Sequence, residues 1–149
     1  MPTRLIVMRH ATSGWESPQQ ADHDRVLTEE GREETPRMSQ ALDELGWIPD
    51  HSFVSSSART RETHSLLMEM SSEIRSEIYR ADLETLLRII GKIPTDQTTL
   101  VLGHNPGCEL LVSDLSGEFH SMPPATCALF LQEEDGWKLE TVLRTSELN

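Results

Sequence analysis

The sequence predicts an α/β fold of three layers, in which a mostly parallel central sheet carries helices on both faces. Two observations support this fold class. Strand-like apolar runs alternate with helical patterns along the chain, as they do in βαβ units. The runs at residues 5–8 and 100–102 are apolar throughout, which is typical of strands that are buried on both faces.

The first elements can be placed from their local signals. An apolar run predicts a strand at residues 4–8. The polar segment that follows, residues 11–26, contains glycine and proline and is expected to be a long loop, a type of segment that is often functional. Thr28 followed by two glutamates indicates the start of a helix, and Gly46 indicates its end.

The later elements follow from the same signals. Short apolar and β-branched runs predict strands, and apolar residues three or four positions apart predict helices. We expect strands at 52–55, 74–79 and 98–102, helices at 58–70, 83–90 and 106–115, and a terminal hairpin of strands 127–131 and 137–142 that turns at Asp135-Gly136.

Length and charge limit the classes of function. A chain of 149 residues with 36% apolar composition predicts one domain over residues 1–149. Its formal net charge of −12 opposes binding to nucleic acid or to an anionic membrane. The start of the sequence has no leader pattern, and no run approaches the roughly 20 apolar residues that cross a bilayer. We therefore expect a soluble cytoplasmic protein without nucleic-acid or membrane partners.

Two histidines and two arginines lie where predicted strands end. Arg9 and His10 follow the first strand, His104 follows the strand at 98–102, and Arg59 comes shortly after another strand. Ligands bind outside the carboxyl ends of the strands in an open α/β sheet, so these side chains are expected in one crevice. Arginine binds phosphate oxygens with a planar fork of donors, and a neutral imidazole is a nucleophile. The pattern predicts phosphoryl transfer through a phosphohistidine intermediate.

Several segments resemble the histidine phosphatase superfamily, which includes the cofactor-dependent phosphoglycerate mutases. Arg9-His10 resembles its RHG signature. The other matching segments are LTEEGR at 27–32, which resembles LTxxGR, SSSARTRET at 55–63, which resembles SPxxRAxxT, and Gly103-His104, which resembles the GH pair. The resemblance implies a phosphoglycerate-mutase-like fold.

The sequence is most similar to the small SixA-type phosphohistidine phosphatases within that superfamily. The residues that fit this branch are Met8, Ala11, Ser13, Trp15, Asp22, Asp24, Arg25 and the Asn-Pro-Gly segment at 105–107. The resemblance implies that His10 is the nucleophile. It also implies that Arg9, Arg59 and His104 bind the phosphoryl oxygens and that no metal or other cofactor is needed. Ser13 either binds phosphate as well or packs the loop.

The sequence departs from the superfamily pattern at several positions. Ala11 replaces the signature glycine, and Ser56 replaces a usual proline. Glu16 stands where many mutases have a phosphate-contacting asparagine. The acidic residue that mutase-like members use after the second arginine has no clear counterpart. Asp82 and Glu84 are the nearest candidates for a proton donor in sequence, and Asp22, Asp24 and Glu16 are rival candidates.

These observations predict a metal-independent phosphatase that acts on phosphohistidine in a protein partner. Two alternatives stay open at this point. The same site could hydrolyse a small phosphorylated metabolite, or the chain could be a phosphate-binding module with weak catalysis. Mutase activity is disfavoured because 149 residues leave little room for the cap insertions of larger relatives.

Overall fold

A six-stranded sheet runs through the part of the chain that the computed structural model describes, residues 2–148. The strands are β1 (Arg4–Arg9), β2 (His51–Ser55), β3 (Ser71–Arg75), β4 (Thr98–Gly103), β5 (Cys127–Glu133) and β6 (Gly136–Leu143). Their order across the sheet is β3-β2-β4-β1-β5-β6. The first four in this order are parallel, and β5 and β6 add an antiparallel edge. The predicted class, a mostly parallel sheet, is therefore confirmed.

Four α-helices connect these strands and cover both faces of the sheet. They are α1 (Glu29–Glu44), α2 (Ala58–Ser65), α3 (Leu83–Ile90) and α4 (Gly107–Ser116). Short 3₁₀ turns lie at Asp22–Asp24, Ser76–Ile78 and Thr145–Glu147. Within residues 2–148, no helix combines the length and the apolar character needed to cross a bilayer.

Two apolar cores form because the central strands alternate their side chains between two covered faces. Leu5 and Val7 of β1 pack with α3 and α4 on one face. Ile6 and Met8, from the same strand, pack with α1 on the other face. All four side chains are at most 1% exposed. Burial on both faces explains why the strand is apolar at successive positions rather than at alternate ones.

The start and end of α1 agree with their sequence signals. The Thr28 hydroxyl accepts a hydrogen bond from the Gly31 N–H at 3.1 Å, which caps the helix. Gly46, just after the helix, has a φ of 73°, a left-handed conformation that glycine adopts without steric cost. Local chemistry therefore determines both boundaries of this helix.

The helix predicted at 58–70 is shorter in the structure, because α2 ends at Ser65. Hydroxyl groups inside it bond to backbone carbonyls: Thr63 Oγ1 donates to the Arg59 carbonyl at 2.7 Å and Ser65 Oγ donates to the Glu62 carbonyl at 2.6 Å. Such bonds compete with helix propagation. The next residues, including Leu66, leave the helix and pack against the core on the α1 face.

The strand predicted at 74–79 was also misplaced. In the structure β3 covers Ser71–Arg75, and residues 76–78 form a 3₁₀ turn. Its pairing with β2 stops where Arg75 lies opposite Ser55, the last residue of β2. Beyond that point the chain has no strand to pair with, and it turns so that Ile78 enters the core.

Candidate active site

The carboxyl ends of three parallel strands meet at one cavity. Arg9 at the end of β1 is in register with Gly103 at the end of β4, and β2 ends beside β4. A cavity of about 390 Å³ opens there. Its lining residues are Arg9, His10, Thr12, Ser13, Asp22, Arg25, Arg59, Arg80, His104, Asn105 and Pro124. The structure thus brings His10, His104, Arg9 and Arg59 together, as the strand-end argument expects.

His10 is held with one ring nitrogen bonded and the other available. Its Nδ1 lies 2.7 Å from the Ala11 carbonyl oxygen, to which it can only donate, so Nε2 carries the lone pair. The Arg59 Nε–H donates to this Nε2 at 3.3 Å. Burial, with the nearby charges of Arg59 and Arg9, lowers the pKa of His10 to about 4. The imidazole is therefore neutral near pH 7, and Nε2 can act as a nucleophile.

His104 lines the cavity and is held by a hydrogen bond at one ring nitrogen, Nε2. Its Nε2 lies 2.7 Å from the Ser55 hydroxyl, which itself accepts the Ser57 N–H at 3.5 Å. The Ser55 hydroxyl can then donate to Nε2, and in that tautomer Nδ1 carries the ring proton. This Nδ1 is buried and has no protein partner within residues 2–148. Burial and the neighbouring His10 lower the pKa of His104 to about 3, so the ring is a neutral donor.

The two strand-end arginines are oriented by main-chain carbonyls. Arg9 Nη1 donates to the Met122 carbonyl at 3.1 Å, while its buried Nε has no partner among the described residues. Arg59 Nη1 donates to the Asp22 carbonyl at 2.7 Å. Arg9, Arg59 and His104 all line the cavity, so their N–H groups form a candidate position for an anion.

Asp22 connects the groups on the open side of the cavity. Its carboxylate accepts hydrogen bonds from Arg59 Nη2 at 3.1 Å, Arg25 Nε at 3.1 Å and the Tyr79 hydroxyl at 2.5 Å, and Arg80 lies 3.5 Å away. Partial burial acts to raise the pKa of Asp22. The bonds from Tyr79 and Arg59 outweigh that effect and hold the pKa well below its usual range. Asp22 is therefore ionised at neutral pH.

The loop after His10 is held against the start of α1. Glu34 accepts hydrogen bonds from the Thr12 N–H and the Thr12 hydroxyl, both at 2.9 Å. Gly31 permits this approach, because a Cβ at that position would lie 2.1 Å from the Thr12 carbonyl oxygen. The Ala11 N–H donates to Thr63 Oγ1 at 3.1 Å. These contacts give a physical reason for the LTEEGR segment: it positions the backbone that follows His10.

The other residues singled out from sequence have different locations. Ser13 lines the cavity and pairs with Leu27 in an isolated bridge. Trp15 is 57% exposed, with the Arg25 guanidinium 4.8 Å above its ring. Glu16 bonds to the Gln20 side chain and does not line the cavity. The Asp24 side chain is 73% exposed.

Asp82 and Glu84, the two acidic residues that the sequence offers first as proton donors, do not line this cavity. Asp82 is the N-cap of α3 and accepts the Thr85 N–H at 2.9 Å. That bond lowers the pKa of Asp82 and favours its ionised form. Glu84 follows in the first turn of the same exposed helix end. The choice of these two residues was wrong in placement, because proximity in sequence to a motif does not give proximity in the fold. Of the carboxylates within residues 2–148, only Asp22 lines the cavity.

Three contributors to the site had no sequence argument. Sequence reasoning places Tyr79 only in a strand and Ser55 only in a motif, and it gives Arg80 no role. The 3₁₀ turn before α3 brings Tyr79 to Asp22, and this turn is where the strand prediction failed. The local signal for Tyr79 and Arg80 is that they adjoin the end of a predicted strand, and Ser55 carries no tyrosine or arginine signal of this kind.

Comparison with known proteins agrees with this geometry. The model of the histidine phosphatase superfamily, branch 1, matches residues 5–82, which is more than half of the chain. This chain belongs to the histidine phosphatase superfamily. The matched region includes Arg9, His10 and Arg59, while His104 lies beyond it.

Among the solved structures with similar folds, two bear the SixA name, and a sequence relative covers most of the chain. A protein from Agrobacterium tumefaciens assigned as the phosphohistidine phosphatase SixA is 28% identical, with a TM-score of 0.87 over 97% of this chain and 99% of that one. A SixA protein from Nakamurella multipartitia is 26% identical, with a TM-score of 0.84 over 97% and 96% of the two chains. An uncharacterised chloroplastic protein of Arabidopsis thaliana is 32% identical over 92% of this chain and 75% of its own. The superfamily and these neighbours support phosphatase activity.

Proposed function

We propose that this histidine phosphatase removes the phosphoryl group from phosphohistidine in a partner protein, through a covalent phosphohistidine at His10. One observation carries this choice of substrate. Among the described residues, the only carboxylate lining the cavity is Asp22, and its contacts with Arg59, Arg25 and Tyr79 keep it ionised. The site therefore has a nucleophile and an anion position but no carboxylic acid to protonate a leaving group.

The missing acid favours a phosphoramidate over an alkyl ester. Expelling an alkoxide needs a positioned proton donor, which contributes typically about 10² to 10⁴-fold to the rate. The leaving nitrogen of phosphohistidine belongs to an imidazole, which departs readily once its ring is protonated by solvent. A site without an acid is therefore adequate for phosphohistidine and poor for phosphorylated alcohols.

The first half-reaction uses the free lone pair of His10. Its Nε2 attacks phosphorus, the substrate P–N bond breaks, and the bonding electrons leave with the substrate imidazole. Arg59 Nε, which donates to Nε2 at 3.3 Å, can then donate to a phosphoryl oxygen instead. The Arg9 guanidinium and the His104 imidazole, which line the cavity, supply further donors. These groups stabilise the equatorial charge, the main requirement of phosphoryl transfer, so that a metal ion is not needed for this purpose.

The second half-reaction regenerates the enzyme. Water attacks the phosphorus of phospho-His10, the P–N bond to Nε2 breaks, and inorganic phosphate leaves. The Ala11 carbonyl bond at 2.7 Å keeps the proton of His10 on Nδ1 throughout, so that the same nitrogen is available for the next cycle. Ser13, which lines the cavity, is a further candidate for contact with the phosphoryl group.

A substrate series tests this proposal. We expect kcat/KM for a phosphohistidine peptide to exceed that for an unactivated alkyl phosphate by at least about 10²-fold, with p-nitrophenyl phosphate intermediate because its leaving group needs little protonation. Rates on a set of monoesters should fall steeply as the pKa of the leaving alcohol rises. Efficient hydrolysis of alkyl phosphates, with a shallow dependence on that pKa, would favour the small-molecule phosphatase instead.

A further inference from the structure

Two arginines at the mouth of the cavity have no role in the phosphoryl transfer described above. Arg25 and Arg80 both line the cavity. The side chain of Arg80 is 69% exposed and that of Arg25 is 17% exposed, compared with 6% for Arg59. We call Arg25 and Arg80 the rim pair.

Each member of the rim pair is supported by an aromatic ring. The guanidinium carbon of Arg25 lies 4.8 Å from the Trp15 ring centre, and that of Arg80 lies 5.2 Å from the Tyr79 ring centre. Stacking of this kind restricts the guanidinium plane without using its N–H donors. The entropy lost when a ligand orders the side chain is therefore reduced.

The rim pair retains unused donors. Within residues 2–148, the terminal nitrogens of Arg25 donate no hydrogen bond, since its Asp22 contact uses Nε. Arg80 makes no hydrogen bond to a protein group in this part of the chain, and its contact with Asp22 is an ion pair at 3.5 Å. Both guanidinium groups can therefore donate hydrogen bonds to an anion that binds at the mouth of the cavity.

The backbone holds Arg80 at this position. Arg80 has a φ of 57°, a left-handed conformation that residues other than glycine adopt at a cost. The neighbouring Ala81 N–H bonds to the Ile78 carbonyl at 3.1 Å, which closes the turn. Ala81 also packs closely on the start of α4, because a Cβ at Gly107 would lie 2.9 Å from its carbonyl oxygen.

Charge in the cavity exceeds what a phosphoryl group needs. Four arginines line it, and Asp22 is the single carboxylate among the described residues that does so. A phosphoryl group brings up to two negative charges, so about one positive charge stays without a counterpart. The chain as a whole has a net charge of −12, which makes this local excess a property of the site rather than of the surface.

We propose that Arg80 and the terminal nitrogens of Arg25 bind an acidic side chain that lies next to the phosphohistidine in the partner protein. This inference rests on the proposed function and specifies the substrate further: phosphohistidine in an acidic sequence. The rim pair then acts in substrate recognition, while Arg9 and Arg59 contact the transferred group. Elsewhere on the surface, an acidic segment meets net repulsion, which favours productive binding at the cavity.

A matched pair of peptides tests the recognition of an acidic neighbour. Both peptides carry a single phosphohistidine, flanked by Glu in one and by Gln at the same positions in the other. With the natural protein we expect kcat/KM to be about tenfold higher for the Glu peptide, and this ratio to fall as salt is raised. In Arg80→Gln the ratio should fall well below tenfold, because only Arg25 of the rim pair remains. Gln places the same demand on the left-handed backbone, and the Arg80 side chain is exposed, so folding is maintained.

Arg88→Gln is the control, because it removes the same charge from an exposed position on α3 that does not line the cavity. Its peptide ratio should equal that of the natural protein. Equal rates on both peptides with the natural protein, or an unchanged ratio in Arg80→Gln, would overturn the rim-pair proposal and leave the proposed function standing. Failure to hydrolyse either peptide would overturn both.

Discussion

The centre of the cavity and its rim are built in different ways. The centre, formed by His10, His104, Arg9 and Arg59, consists of residues that end or directly follow a parallel strand, or that lie in the first turn of the helix after one. The rim, formed by Asp22, Tyr79, Arg25 and Arg80, comes from a long loop and a 3₁₀ turn. The centre depends on strand register, which the whole sheet maintains, whereas the rim depends on contacts between side chains.

The difference in construction matches a difference in role between the centre and the rim. In the centre, main-chain carbonyls accept hydrogen bonds from His10 and Arg9, at 2.7 Å and 3.1 Å, so the backbone sets the orientation of both side chains. At the rim, one carboxylate, Asp22, holds three arginines and a tyrosine. A rigid centre suits chemistry that is common to a superfamily, and a side-chain rim suits the choice of substrate.

The largest expected effect comes from the centre. His10→Ala removes the proposed nucleophile, and we expect turnover of a phosphohistidine peptide to fall by roughly 10⁴-fold or more. Rapid quench of the natural protein should trap a base-stable, acid-labile phosphate on the chain, and the variant should show none.

His51→Ala is the matched control, since His51 lies at the opposite, amino-terminal end of β2 and its side chain hydrogen-bonds only to the Ser71 hydroxyl among the described residues. Turnover and labelling of this variant should equal those of the natural protein. Substantial turnover in His10→Ala, from protein purified free of other phosphatases, would show that another group is the nucleophile.

The same division explains what the sequence could predict. The strands β1 and β4 can be predicted from sequence because both faces of the sheet are covered, which makes each strand a continuous apolar run. Once these strands are placed, the positions of His10 and His104 at their carboxyl ends are predicted too. The position of Tyr79 depends on where β3 loses its partner, which is a long-range property of the sheet. No local pattern could therefore predict the bond between Tyr79 and Asp22, which are 57 residues apart.

Asp22→Asn should have an intermediate effect on turnover, because it weakens the contacts that hold the rim side chains and leaves the backbone of the centre in place. An amide loses the charge that holds Arg59 Nη2 at 3.1 Å, so we expect kcat/KM for a phosphohistidine peptide to fall by about 10²-fold. Asp24→Asn is the control, because Asp24 lies in the same loop with a side chain that is 73% exposed. This variant should change kcat/KM by less than about twofold.

The dependence on leaving group distinguishes the roles that Asp22 could have. If Asp22 only orients Arg59, the loss in Asp22→Asn should be similar for phosphohistidine, p-nitrophenyl phosphate and an alkyl phosphate. A loss that grows with the pKa of the leaving alcohol would identify Asp22 as a proton donor, despite its many cationic partners, and would contradict the proposed preference for phosphohistidine.

The smallest expected effect concerns stability in acid. Burial lowers the pKa of His10 to about 4 in the folded protein, from an ordinary value of 6.5 in the unfolded chain. As pH falls below 6.5, the unfolded chain therefore binds a proton that the folded protein does not, and the free energy of unfolding decreases until His10 protonates in the fold. This contribution is on the order of 1 to 2 kcal/mol by about pH 5.

His10→Ala removes this contribution, so the melting temperature of the variant should fall less between pH 7 and pH 5 than that of the natural protein. Parallel decreases would mean that His10 titrates near its ordinary value. The imidazole would then be partly charged near neutral pH, and the lone pair on Nε2 would not be continuously available.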